Sequence, residues 1–253
     1  MTTSAANCGA AALRERYCVL RTLAITDLNI VSAGIDRASG APVVIKAALA
    51  ACHDPIEHRQ RCYVLAYEAL MLRRLERYGV AAPRLLDTFH HGGQPFLVMS
   101  RVAGSTLDTL YRAGRLPPTA AVAAIAAVAA TLELLHLCGY VHHDVKPQNI
   151  VQPPAGAAVL IDWGSAARIR PYGERSRFLA YTSGFASREQ RLCQVLAAND
   201  IYALGRTLAA LVAEPTPALA AIIRRASGAA SQRYTSMRAF RSELAAYAGA
   251  SLV

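Results

Sequence analysis

The hydrophobic periodicity of this chain changes once, near residues 101–104, and that change limits the folds open to it. Before it, apolar and β-branched residues collect in short runs. "YCVLRTLAI" (17–25), "LNIVSAGID" (28–36) and "APVVIKAAL" (41–49) read as strands, with the turn signal "RASG" between the last two. One helix is expected from Pro55 to Tyr78, where Val64, Leu65, Leu72 and Leu75 recur near helical spacing. Two more strands, "RLLDTFHH" (84–91) and "PFLVMS" (95–100), flank "GGQ". After Gly104 the pattern turns helical, with its longest helix at 119–138 and others at 199–213, 217–227 and 235–248. Strands carrying one helix, followed by helices, read as an α+β chain of two lobes, and a cleft between lobes is a natural ligand site. The expected divisions are an N-terminal extension (1–16), a β-rich lobe (17–102) and a mainly helical lobe (103–253).

With 253 residues the chain can bury a substantial core, and its charged residues are spread along its length, which argues against disorder. The longest apolar run, "AAVAAIAAVAATLELLHL" (120–137), is mostly alanine and holds Glu133 and His136, so a buried helix is expected and no membrane partner. "MTTSAANCGAAALRER" lacks the layout of a signal peptide. Six cysteines without scaffold spacing favour a reduced, intracellular and cytoplasmic setting. The net charge of +10 suits acidic partners such as ATP, but no basic run interleaved with aromatics marks a dedicated nucleic-acid site.

The chemistry concentrates in "YVHHDVKPQNIV" (140–151). Asp144 lies in a loop between the long helix and the short strand "NIVQ", where a carboxylate can accept the proton of a substrate hydroxyl. Lys146 can neutralise a transferring phosphoryl group, and Asn149 can hold a metal through its amide oxygen. A second acid, Asp162, ends the strand of "VLIDWGSA", with Gly164 permitting a sharp turn; a carboxylate there suits Mg²⁺. Upstream, Lys46 of "VVIK" points away from Ile45 and Ala47, and Glu68 on the following helix is a candidate partner.

These segments, in this order, resemble a protein kinase of the eukaryotic-type serine/threonine family from about Tyr17 onward. "VVIK", "HHDVKPQN", "DWG", "TSGFASREQ", "NDIYALG" and "SQRYTS" are similar to its successive motifs. The resemblance implies a bilobal kinase fold and ATP and Mg²⁺ as cofactors. Asp144 would be the catalytic base, Lys146 would sit beside the γ-phosphate, and Lys46, paired with Glu68, would hold the other phosphates. Asn149 and Asp162 would bind the metal. Val31, Val44 and the stretch Met99, Ser100, Arg101 and Val102 would face the nucleotide, with Met99 as gatekeeper. Thr182 would contact the catalytic loop, Asp200 would brace it, and Glu189 would pair with Arg233. Leu72, His142 and Trp163 match members of an apolar column. Lysine two places after the aspartate resembles the serine/threonine class, so a protein substrate with a Ser or Thr acceptor is implied.

The pattern is broken in places. "AITDLN" puts Ala24, Thr26 and Asn29 where the family has the glycines of its phosphate-covering loop, and adds Asp27. Val44 is bulkier than the usual alanine. His143 replaces an arginine that reads activation-loop phosphates, so control by such a phosphate is not expected. Arg188 replaces a proline, and little room follows "LAALVAEPTP" for the family's substrate-docking helix. The competing readings are a nucleotide-binding scaffold with little turnover and a small-molecule kinase of the aminoglycoside or choline type, to which "IDWGSA" is also similar. The shortened lobe and worn motifs resemble kinases of large DNA viruses, and a bacterial origin is equally consistent with the residues; if virus-encoded, the chain would sit in host cytoplasm or nucleus. Cys52, His53, His58 and Cys62 fit no common zinc spacing and read as an exposed insertion. Ser176, Thr182 and Ser183 read as ordinary loop groups rather than regulatory phosphosites.

Overall fold

The computed structural model describes residues 16–49, 55–91, 94–176 and 181–250. The chain divides into two compact units, residues 1–74 with 83–101 and residues 75–82 with 102–253.

The first unit is built on an antiparallel sheet of five strands in the order β1-β2-β3-β5-β4. These are β1 (Tyr17–Ile25), β2 (Asn29–Asp36), β3 (Pro42–Ala48), β4 (Leu85–His91) and β5 (Gln94–Ser100). Alternation places Tyr17, Val43, Ile45, Phe96 and Val98 in one buried cluster, with Phe89 packed against it. Phe89 stacks on Phe96 with ring centroids 5.0 Å apart. Lys46 falls on the face opposite Ile45, as the period of two demands. Helix α1 (Pro55–Arg77) follows β3. Its buried positions Leu65, Leu72 and Leu75 continue one stripe, and that stripe also contains Glu68. A carboxylate on a buried stripe needs a partner, and Lys46 supplies it. Gly79, at φ 67°, follows the helix and lets Val80 N–H bond back to the Leu75 carbonyl.

The second unit is mainly helical: α2 (Leu107–Arg112), α3 (Pro118–Leu137), α4 (Arg188–Arg191), α5 (Ala197–Leu211), α6 (Pro217–Ala226) and α7 (Met237–Ala250). α3 packs against α5 and α7. Its buried residues Ala121, Ile125, Val128, Leu132 and Leu135 recur at helical spacing. By length and composition alone α3 could cross a membrane; half of it is buried within the protein. Glu133 takes ion pairs from Arg238 and Arg241, each at 2.8 Å, which tie α3 to α7.

Five short strands complete this unit: β6 (Ser105–Thr106), β7 (Tyr140–Val141), β8 (Ile150–Gln152), β9 (Val159–Leu160) and β10 (Ala167–Arg168). They form the sheets β6-β8-β9 and β10-β7. Gly104, at φ 116°, precedes β6; a Cβ there would lie 2.1 Å from the Gln152 carbonyl oxygen, so only glycine allows β6 to meet β8. Helix α5 starts and ends two residues before the expected 199–213, because Leu196 and Val212 are both extended. Strand β9 stops at Leu160 rather than Asp162, because Asp162 adopts a left-handed φ of 65° and leaves the ladder.

Candidate active site

The loop after α3 is held from its backbone outward. Asp200, fully buried on α5, accepts the amide of His142 at 2.8 Å and of His143 at 2.9 Å. His136 of α3 also bonds this carboxylate at 2.9 Å. Burial pushes the Asp200 carboxyl up, but the His136 hydrogen bond outweighs it and holds it below the usual carboxylate range. Asp200 thus anchors two successive amides immediately before Asp144.

His142 is fully buried, with its ring edge-on to Trp163 at a centroid distance of 4.6 Å. Its Nδ1 accepts the Asp144 amide at 3.2 Å, so the ring proton sits on Nε2 and is donated to the Ile161 carbonyl at 3.2 Å. Burial lowers the His142 pKa and keeps this ring neutral.

The Asp144 carboxylate is fixed at both oxygens. Oδ1 accepts the Thr182 hydroxyl at 2.6 Å. Oδ2 accepts from the Lys146 ammonium and from Asn149 Nδ2, each at 2.8 Å. Lys146 also donates to Thr182 Oγ1 at 2.9 Å, closing a triangle. Asn149 sits in a 3₁₀ turn (Pro147–Asn149), and its Nδ2 bonds the Asp144 carbonyl at 2.8 Å as well. Both amide hydrogens are thereby used, and the Asn149 amide oxygen is the end left to bind a cation. The Ile161 amide donates to the Asn149 carbonyl at 2.8 Å, so the residue next before Asp162 is tied to Asn149 at one end of the β8–β9 pair. Gly164 lies in the following turn, closed by Ala166 N–H to the Trp163 carbonyl at 3.2 Å. An amide oxygen and a carboxylate are hard donors, and that donor set fits Mg²⁺, which keeps waters and phosphates as its other ligands.

In the first unit, Lys46 Nζ donates to both Glu68 oxygens, at 2.7 and 2.8 Å. The two residues are 6% and 1% exposed, so water does little to screen the pair. Val31 is the register partner of Lys46, and Val44 that of Met99. Val31 and Val44 are half-buried and Met99 is buried. Ser100 accepts the Arg84 amide through its hydroxyl at 2.8 Å, and the Arg101 amide bonds the Pro42 carbonyl at 3.3 Å. Val102, half-buried, begins the second unit.

The glycine-free turn between β1 and β2 satisfies its own amides. Thr26 Oγ1 accepts from Leu28 N at 3.3 Å and from Asn29 N at 3.0 Å, while Thr26 N donates to the Asn29 carbonyl at 2.9 Å. Three amides of this turn are therefore bonded within it.

Glu189 and Arg233 form an ion pair at 3.2 Å, and Arg233 also donates to the Gly228 carbonyl at 2.9 Å. Burial pushes the Glu189 carboxyl up, but hydrogen bonds and Arg233 bring it below its ordinary range. Of the four possible zinc ligands, Cys52 and His53 lie outside the described residues; His58 Nε2 and Cys62 Sγ are 3.5 Å apart on α1. Sequence reasoning overlooked Ser187, Gln190 and Asn199, which surround His143. Their only signal was polarity within "TSGFASREQ" and "NDIYALG", at positions where solvent-facing side chains are equally at home. His136 was visible merely as a polar residue in an apolar helix.

Residues 26–243 match the family described as protein kinase domain. The chain belongs to the protein kinase domain family. It is 31% identical over 214 residues to serine/threonine-protein kinase PknL of Mycobacterium bovis, covering 82% of this chain and 51% of that protein. It is 28% identical over 218 residues to serine/threonine-protein kinase B of Synechocystis, covering 81% of this chain and 38% of the relative. PknA of Mycobacterium tuberculosis is 28% identical over 200 residues, covering 76% of this chain and 46% of its own length. The kinase domain thus spans about half the length of PknL, or less of the others. The α+β architecture, a sheet unit with one helix and a helical unit, accords with this family.

Proposed function

We propose that this kinase domain transfers the γ-phosphoryl group of ATP to serine or threonine hydroxyls of a protein substrate. The observation that carries the reading is the Asp144 carboxylate held by Thr182, Lys146 and Asn149. Asp144 accepts the proton of the acceptor hydroxyl as that oxygen bonds to the γ-phosphorus and ADP leaves. Lys146, beside Asp144, offsets negative charge on the transferring group. Lys46, oriented by Glu68, takes the other phosphates. Asn149 and Asp162 are the residues that would hold Mg²⁺, which when bound neutralises phosphate charge. Val31, Val44 and Met99, with the backbone from Ser100 to Val102, supply the nucleotide contacts.

The inward-turned amides around Thr26 favour a loose phosphate grip, so the hold on ATP falls to Lys46 and the metal ligands. The test is incubation with Mg²⁺ and labelled ATP, with basic proteins as acceptors and phosphoamino-acid analysis of the product. Label on serine or threonine supports the reading. Melting-temperature elevation by Mg²⁺-ATP without any transfer would leave only a nucleotide-binding scaffold. ATP consumption stimulated by an amino sugar or amino alcohol, but not by protein, would mark a small-molecule kinase.

A further inference from the structure

His143 is a left-handed residue without the excuse of being glycine: its φ is 67°. Such a conformation costs roughly 1 kcal/mol or more and persists only where surroundings impose it. What imposes it is a closed ring of hydrogen bonds. Gln190 Nε2 donates to the His143 carbonyl at 2.7 Å. The Gln190 amide donates to Ser187 Oγ at 3.1 Å. Ser187 Oγ donates to Asn199 Oδ1 at 3.0 Å. Asn199 Nδ2 returns to His143 Nε2 at 3.0 Å. The four residues are 2%, 1%, 0% and 0% exposed for His143, Gln190, Ser187 and Asn199.

The donors and acceptors admit one arrangement. Asn199 Nδ2 also donates to the Gln194 carbonyl at 2.7 Å, which fixes the orientation of its amide. Nε2 of His143 must then accept, and the ring proton sits on Nδ1, which is buried with no partner among the described residues. A buried donor left unsatisfied is a cost that packing alone gives no reason to keep. The ring carries no formal charge, and it joins the residue before Asp144 to the segment 187–199.

We infer that His143, Ser187, Gln190 and Asn199 form a neutral latch that positions Asp144, with His143 as its hub and no phosphate needed to close it. This rests on the kinase reading only for its effect on turnover. The latch sets the direction of the peptide bond that carries Asp144; the four residues are positioning residues and touch no substrate.

The experiment compares His143→Leu, His143→Gln and Gln190→Met with wild type by steady-state kinetics and by amide hydrogen exchange across residues 142–145. His143→Leu and Gln190→Met are expected to lower kcat about tenfold or more with the KM for ATP little changed, because a displaced base costs rate rather than binding. Their amides at 142–145 should lose protection while those of α3 and α7 keep it. His143→Gln places an amide oxygen where Nε2 accepts, and should retain kcat within about threefold of wild type together with the exchange pattern. A folded His143→Leu with wild-type kcat and protection overturns the inference, as does a glutamine variant as impaired as the leucine one. If His143→Leu does not fold, Gln190→Met, which deletes one bond of the ring, decides. If the wild-type protein transfers no phosphate, the kinase reading fails and the exchange data alone decide the latch.

Discussion

Thr182 gives its hydroxyl proton to Asp144 across 2.6 Å and receives a hydrogen bond from Lys146 at 2.9 Å. One hydroxyl therefore orients both charged groups of the loop. Replacing it with alanine leaves the Asp144–Lys146 pair at 2.8 Å but removes the brace on its far side. Thr182→Ala should lower kcat about tenfold to a hundredfold with a smaller change in the KM for ATP, and Thr182→Ser should recover most of the loss. Parallel initial-rate measurements on the three proteins check this.

The buried pair of Lys46 and Glu68 responds differently to single and double replacement. Lys46→Met strands a carboxylate that is 1% exposed, and should destabilise the fold by about 3–5 kcal/mol. Lys46→Met combined with Glu68→Leu exchanges the ions for apolar side chains and should recover much of that loss. Urea titration of the single and double variants reads the difference. Equal stability of the two would show that the stranded carboxylate has found another partner or a proton.

Acid should weaken the protein through His143. Burial pushes its folded pKa down to about 4, against roughly 6.5 for an unfolded histidine. Between those values the unfolded chain binds a proton that the folded chain refuses, so stability is full above about pH 6.5 and declines as pH falls towards 4. A gap of that size corresponds to roughly 3 kcal/mol. His142, also lowered by burial, acts in the same direction. His143→Gln should flatten this part of the stability profile, measured by denaturant melts from pH 4 to pH 7; an unchanged slope would assign the acid loss to other groups.

Gly104→Ala should be costly in spite of its small size. At φ 116° and with a Cβ only 2.1 Å from the Gln152 carbonyl oxygen, alanine must displace β6 from β8. Backbone strain alone is about 1–3 kcal/mol, with the steric shift added to it. A lower urea midpoint of the purified variant is the expected reading.

The turn at Thr26 predicts a gain rather than a loss. Replacing Ala24, Thr26 and Asn29 with glycine removes the Oγ1 acceptor that holds the Leu28 and Asn29 amides inward. Freed amides can meet phosphate, so the KM for ATP should fall while kcat stays near its original value. Calorimetric titration with Mg²⁺-ATP checks the same change as a binding constant.

Much of the fold could be read from periodicity. The strand carrying Lys46 and the helix carrying Glu68 fall within a residue or two of their expected limits, because each buries one regular face. The two-residue strands, such as Tyr140–Val141 and Ala167–Arg168, were not legible, since they exist only through pairing with a distant partner. The triangle of Asp144, Lys146 and Thr182 was foreshadowed by motif order, although 36 positions separate Lys146 from Thr182. The ring around His143 was not. Histidine there reads as the absence of an arginine, and nothing in residue type shows that its Nε2 accepts from Asn199 at 3.0 Å. Asp162 was placed at a strand end by its apolar neighbours, but its left-handed backbone leaves no trace in residue type.

The most direct test of the central claim is the initial rate of labelled phosphate transfer from Mg²⁺-ATP to a serine- or threonine-containing protein by wild type and by Asp144→Asn. The asparagine keeps the shape of the side chain but cannot take a proton, so transfer should fall by about two to four orders of magnitude while Mg²⁺-ATP still raises the melting temperature. Transfer that persists at the wild-type rate in Asp144→Asn would contradict the assignment of Asp144 as the base.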